Sequence, residues 1–256
     1  MGSAALVLTY HAIARGPAPL HVDPALFAEH LDRIVASDAA VLTVSELAAT
    51  LRAGTLPARA VALTFDDGFR SVCENAAPLL AERGLRATIF CVTGQIGGTS
   101  DWASQPESAP RLPLADAGSL AKLAAAGWEI GSHGISHEPL TRLDPDQRRR
   151  ELEDSRHTLE DLLGASVRAF AYPYGAVPAG AEPELREAGY DAACTTRIAA
   201  VNPTSAPLAL PRVDAHYLRR GPLFTAVLEG RAPGYLTARR LAARTRRLIT
   251  TDYASE

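Results

Sequence analysis

The chain has 256 residues, of which 47% are hydrophobic and 21% charged, and its formal net charge is -3. This composition supplies enough apolar side chain for a full core and excludes a disordered chain. A sequence pI near 6.2 removes the overall basic field on which general nucleic-acid binding relies.

Three cysteines, Cys73, Cys91 and Cys194, are odd in number and widely spaced. They suit neither a disulfide framework nor a cysteine-based zinc site, so a reducing compartment is expected. The opening MGSAALVLTYH lacks the basic and long apolar regions of a signal peptide. No apolar run approaches the roughly 18 residues that a membrane span needs. A cytoplasmic location is the expectation, unless a leader has been removed.

In chain order, a β-branched run at 5–10 (ALVLTY) reads as a strand ending in Tyr10-His11. Residues 24–36 read as a helix, and 59–65 (RAVALTF) as a second strand ending in Asp66-Asp67-Gly68. A helix over 71–83 stops at Gly84, a strand follows at 86–92, and a long connection runs from Thr93 to Asp116. A connection of this length, carrying Trp102, reads as a functional cover. Strands are then predicted at 128–131, 168–172, 190–195 and 208–213, with a helix over 144–163 closed by Gly164. Strands alternating with helices imply an α/β fold with a parallel sheet, and seven such strands suggest a barrel. No linker divides the chain, so residues 1–256 are expected to form one catalytic domain. The segment at about 235–251, with Arg239, Arg240, Arg244, Arg246 and Arg247, reads as an amphipathic helix with a solvated basic face. Contact with an anionic membrane surface is the sharper alternative for that helix.

Three strand ends carry chemistry. In Thr64-Phe65-Asp66-Asp67-Gly68 the side chains of adjacent acids diverge, so one carboxylate can bind a cation while its neighbour addresses a water. Alone, this is an ordinary acidic turn. In Ser132-His133-Gly134-Ile135-Ser136-His137, two histidines four apart on one side of a helical turn could reach a single metal ion. With Asp67 they make a triad of two imidazoles and one carboxylate, which leaves positions open for water and substrate, and Asp66 becomes the general base. Phe170-Ala171-Tyr172-Pro173-Tyr174-Gly175 adds a sharp turn and aromatic surface suited to a sugar.

With TFDDG, SHGISH and AYPYG in this order, the chain resembles the polysaccharide deacetylase family, the NodB-homology or carbohydrate esterase family 4 enzymes. The resemblance implies a distorted (β/α)7 barrel, a divalent ion and hydrolysis of N-acetyl groups on amino sugars. It assigns Asp67, His133 and His137 to the metal, Asp66 to the catalytic base and the Tyr174 amide to an oxyanion contact. Zinc is the expected ion, with Co2+, Ni2+ or Fe2+ as alternatives. Two departures stand out. Ala171 occupies the place where many members have an arginine that orients the base, and Arg212 in LPRV resembles the arginine of a subgroup acting on poly-N-acetylglucosamine. The family's late histidine motif is also missing, whereas Leu8-Thr9-Tyr10-His11 resembles the first strand of that subgroup, as in a circularly permuted barrel. His11 is thus the expected general acid, with Asp214 as its partner and His216 as its competitor.

The expected partner is an N-acetylated amino sugar, small, lipid-linked or oligomeric, and not nucleic acid. Rival readings are a hydrolase of another C–N bond (a deformylase or cyclic amide hydrolase), an Fe(II) oxygenase built on the same triad, and a sugar-binding module without turnover.

Overall fold

The computed structural model describes residues 4–249. Its first half runs β1 (Ala4–Tyr10), β2 (Ala12–Ile13), β3 (His21–Val22), α1 (Pro24–Ala36), β4 (Ala40–Leu42), α2 (Val44–Ala53), β5 (Arg59–Phe65), α3 (Ala77–Ala81) and β6 (Thr88–Cys91). The second half runs α4 (Ala117–Ala125), β7 (Glu129–Ser132), α5 (Pro145–Leu163), β8 (Ala169–Ala171), α6 (Ala181–Glu187), β9 (Ala192–Cys194), β10 (Val213–Asp214), α7 (Gly221–Leu228) and α8 (Pro233–Ile249).

All pairings in the main sheet are parallel. The strand order is β10-β1-β5-β6-β7-β8-β9, with β4 added beside β5. The two ends of this order meet, because Leu210, just ahead of β10, bridges Cys194 of β9 in parallel. The Leu210 amide donates to the Ala193 carbonyl at 2.8 Å. The strands therefore close into the expected (β/α)7 barrel. Its distortion has a visible cause. β5 meets β6 only through Thr64 and Phe65, while Ala60, Val61 and Ala62 pair with β4, so β5 and β6 part at their N-terminal ends.

Strand alternation sends every second side chain inward. Ala5 and Val7 of β1, Ala60 and Ala62 of β5, Ala169 and Ala171 of β8, and Ala192 and Cys194 of β9 form one buried cluster with Val44, Leu47, Ala48 and Leu51 of α2. Such small inward residues leave room for α2 to plug the N-terminal end. Thr43 and Glu46 cap that helix reciprocally. Its first amides donate to Thr88 Oγ1 at 3.1 Å and to the Glu129 carboxylate at 3.2 Å. The outward set, including Leu6, Leu8, Tyr10, Leu63, Phe65 and Phe170, belongs to a second cluster beneath the flanking helices.

Three departures from the sequence reading have local causes. The helix expected over 71–83 is a π-type turn at Val72–Ala76 followed by α3, because Pro78 has no amide to continue the α-helical ladder. The strand expected over 208–213 is confined to Val213–Asp214. Pro207–Ala209 form a 3₁₀ turn, and Pro211 offers no amide to a ladder. Thirdly, β2, β3, β4, α2, α4, α6 and α7 are additional elements, most of them too short to carry a clear periodic pattern. The basic C-terminal segment is helical as α8, although residues 250–251 and the side chains of Arg244, Arg246 and Arg247 lie outside the described residues. Among the described residues no helix is long and apolar enough to cross a membrane.

Candidate active site

β5 carries two consecutive carboxylates to the C-terminal end of the barrel. Asp66 continues the inward alternation of Ala62 and Thr64, and its amide donates to the Tyr10 carbonyl at 3.0 Å. Arg212 donates to both of its oxygens, from Nη1 at 2.6 Å and from Nη2 at 2.7 Å. Arg212 Nε donates in turn to the Thr195 carbonyl at 3.0 Å, and the residue is only 3% exposed. An arginine from the closing segment of the barrel thus reaches the carboxylate that Ala171 cannot touch. Burial alone would push the Asp66 carboxyl up. The charge of Arg212 and its hydrogen bonds outweigh it and hold the carboxyl below the usual carboxylate range.

Asp67 leaves the strand direction. Its φ of 69° lies in the left-handed region, which few non-glycine residues adopt, and Gly68 at 77° completes the turn. The turn separates the two acids, sending Asp66 to Arg212 and Asp67 to the histidines. His137 at 60° and Tyr174 at 57° share this uncommon backbone conformation. Three of the four left-handed non-glycine residues in the described chain are therefore site residues, as expected where geometry is held against local preference.

His133 follows β7, and its Nδ1 lies 2.7 Å from the Ala171 carbonyl. With Nδ1–H donating there, Nε2 faces Asp67 Oδ1 at 3.6 Å. His137 Nε2 is 3.3 Å from the same oxygen. Asp67, His133 and His137 are all buried, and their ligand atoms lie within 4.8 Å of one another. Two imidazole nitrogens and a carboxylate oxygen form a donor set suited to zinc or a similar divalent ion. A backbone carbonyl behind the first imidazole is the usual outer support of a metal-binding histidine. Burial pushes the His133 imidazole down to about 4, which keeps it neutral and able to bind an ion near neutral pH.

The histidines do not share a helical turn. Residues 133–137 form a loop, with Gly134 at φ 80°. Glu151 of α5 holds this loop: its carboxylate accepts from the Ile135 amide at 2.6 Å, the Ser136 amide at 3.2 Å and the Ser136 hydroxyl at 2.6 Å. A Cβ at residue 134 would stand 2.7 Å from Glu151 Oε2, so a side chain there would push aside the carboxylate that holds the loop, and φ of 80° favours glycine as well. Glu151 carries no signal in the sequence, because it sits in a helix dense in charge, where an acid looks solvated.

A cavity of about 690 Å³ opens over these groups, and its wall includes His11, Trp102, Tyr174, Arg212 and Asp214. The connection between β6 and α4 covers it, as expected. The Trp102 ring lies 4.3 Å from the His137 ring, and the Ser104 hydroxyl donates to the His137 carbonyl at 2.9 Å. The Tyr174 hydroxyl donates to the Ser104 carbonyl at 3.1 Å, while its ring meets His137 edge-on at 4.7 Å. His11 follows β1, which lies between β10 and β5, so a residue from the start of the chain lines the same cavity as Asp66. Asp214 Oδ1 accepts from the His216 amide at 2.7 Å. His216 itself is not among the described lining residues.

Comparison with known proteins gives a consistent result. Residues 53–193 match the family model described as polysaccharide deacetylase. A poly-beta-1,6-N-acetyl-D-glucosamine N-deacetylase of Staphylococcus epidermidis is 27% identical over 196 residues, covering 73% of this chain and 65% of the relative. The chain therefore spans just under two thirds of that relative's length. IcaB from Ammonifex degensii superposes with a TM-score of 0.74 at 26% identity, over 89% of this chain and 98% of the other. The Streptococcus pyogenes deacetylase PplD, solved in complex with acetate, gives 0.72 at 25% identity, over 84% and 93%. The family match takes in more than half of the chain and includes the two aspartates, the two histidines and Tyr174, and on this basis the chain belongs to the polysaccharide deacetylase family.

Proposed function

We propose that this protein hydrolyses the N-acetyl group of an amino sugar or amino-sugar conjugate, releasing acetate and a free amine, with a divalent metal as cofactor. The observation that carries this reading is the buried Asp67-His133-His137 cluster beside the Asp66–Arg212 pair in a single cavity. Two relatives, a poly-beta-1,6-N-acetyl-D-glucosamine N-deacetylase and a deacetylase solved in complex with acetate, support the same class of reaction.

A divalent ion held by Asp67, His133 and His137, with zinc the leading candidate, would polarise the acetyl carbonyl and acidify an attacking water. Asp66 accepts the proton of that water. Arg212 keeps the Asp66 carboxyl ionised and fixes its direction through two parallel hydrogen bonds. The Tyr174 amide donates to the carbonyl oxygen as negative charge develops on it. His11 protonates the departing nitrogen, because an amine anion is too poor a leaving group near neutral pH. The rings of Trp102 and Tyr174 give the wall apolar surface for a pyranose.

The test is incubation of the metal-loaded protein with a panel of N-acetylated sugars, nucleotide sugars and oligomers, with mass spectrometry of the products. Acetate together with a new amine supports the reading. Formate, ring opening or oxygen consumption would move the protein to one of the rival reactions. Sugar binding by metal-free protein with no product from any substrate would make it a binding module.

A further inference from the structure

We infer that the outer wall of the cavity, formed by α8 and Tyr217, binds an anionic substituent, a phosphate or carboxylate, carried by the acetylated sugar. The inference rests on the deacetylase reading and narrows its substrate class.

Arg239, Ala242 and Ala243 line the cavity. Their spacing of three and four residues places them on one side of α8. The Arg239 guanidinium lies 3.9 Å from the centre of the Tyr217 ring. Tyr217 is tied to the same helix, because the Tyr235 hydroxyl donates to its carbonyl at 2.7 Å. The arginine and the ring beneath it are therefore positioned together.

A guanidinium stacked on an aromatic face keeps its N–H donors in the plane of the group, directed past the ring edge. Those donors have no other use among the described residues, where Arg239 makes neither a hydrogen bond nor an ion pair within 4.0 Å. Arg212, the other arginine on the wall, is taken up by Asp66. The acids on the wall are also engaged: Asp66 with Arg212, Asp67 with the histidines, and Asp214 through the His216 amide. Among the described residues, Arg239 is thus the arginine of the wall whose donors are uncommitted. A planar fork of this kind is matched by the paired oxygens of a phosphate or carboxylate, not by a neutral hydroxyl.

The test compares N-acetylglucosamine, N-acetylglucosamine 1-phosphate and N-acetylmuramic acid, by calorimetric binding to the full chain and by the ratio of their kcat/KM values. Wild-type protein should prefer at least one of the two anionic sugars over the neutral sugar by about tenfold, as one charge-assisted contact implies. Arg239→Ala should remove that preference, and Arg239→Lys should keep part of it because charge remains without the fork. The phosphate and carboxylate sugars report separately which group is taken. Equal binding of neutral and anionic sugars by wild type, or a preference that survives Arg239→Ala, would overturn the inference and leave Arg239 as wall packing. Because binding is read independently of turnover, a preference seen without any acetate release would contradict the deacetylase reading and not the anion site.

Discussion

Replacing Arg212 by methionine removes the most demanding electrostatic contact in the site while keeping a side chain of similar length. The loss comprises two short bonds to Asp66, at 2.6 and 2.7 Å, one from Nε to the Thr195 carbonyl at 3.0 Å and a longer one from Nη1 to Thr64 Oγ1 at 3.4 Å. What remains is a buried, uncompensated carboxylate, and breaking such a pair costs about 3–5 kcal/mol. With a urea m value of about 2–3 kcal/mol/M, the unfolding midpoint should fall by about 1–2 M. Turnover should fall by about two orders of magnitude or more, because the base loses its fixed direction. Metal content should stay near normal, since Arg212 contacts none of the three ligands. Adding Asp66→Asn to the variant removes the stranded charge and should recover much of the stability without restoring activity, a coupling that a double-mutant cycle reads directly. Unchanged turnover and an unchanged urea midpoint in Arg212→Met would refute the assignment of Arg212 to the site.

His11→Ala should lower turnover by about two to four orders of magnitude, with metal content intact and the basic limb of the pH–rate profile altered. If instead His216→Ala has that effect and His11→Ala has none, the proton donor lies elsewhere. Glu151→Ala should weaken metal affinity by about 10–100-fold in a competition titration, as loss of an outer support does. Wild-type affinity would show that the His133–His137 loop holds its shape unaided. Glu129 is half-buried, and loss of water around its carboxyl pushes it above the ordinary value of 4.5 despite bonds from Thr88 and Ser45. An acid raised on folding contributes less stability as pH climbs from its unfolded value toward its folded one. Glu129→Gln, whose carbonyl can accept the same two bonds, should therefore gain on wild type in thermal melts as pH rises above about 4.5. Parallel pH profiles for the two proteins would contradict this.

Much of the frame is legible because its signals are local. The strand Arg59–Phe65 and the helix Pro24–Ala36 fall where periodicity places them, and Asp144 and Gly164 bound α5 through capping chemistry carried by their own residue types. α2 was also within reach, since Thr43 and Glu46 form a capping box ahead of Val44, Leu47, Ala48 and Leu51 at helical spacing. β4 is harder to see, because three residues carry too little pattern to separate a strand from a loop. At the site, Asp66, Asp67, His133 and His137 can be read from strand ends, but the way they are held cannot. A helical turn predicts the convergence of the two histidines for the wrong geometric reason; a carboxylate on α5 shapes their loop instead. The Ser104 contact with His137 likewise depends on how a long loop folds back, and no local residue pattern encodes that closure.

The most direct measurement titrates Zn2+ into chelator-stripped protein and follows bound metal together with acetate released from an N-acetylated amino sugar. Acetate release should rise from near zero and level off at about one ion per chain, and neither bound ion nor acetate should appear when His133 and His137 are both replaced by alanine. Full acetate release from the stripped protein, or stoichiometric binding of the ion by the double variant, would contradict metal-dependent deacetylation at this site.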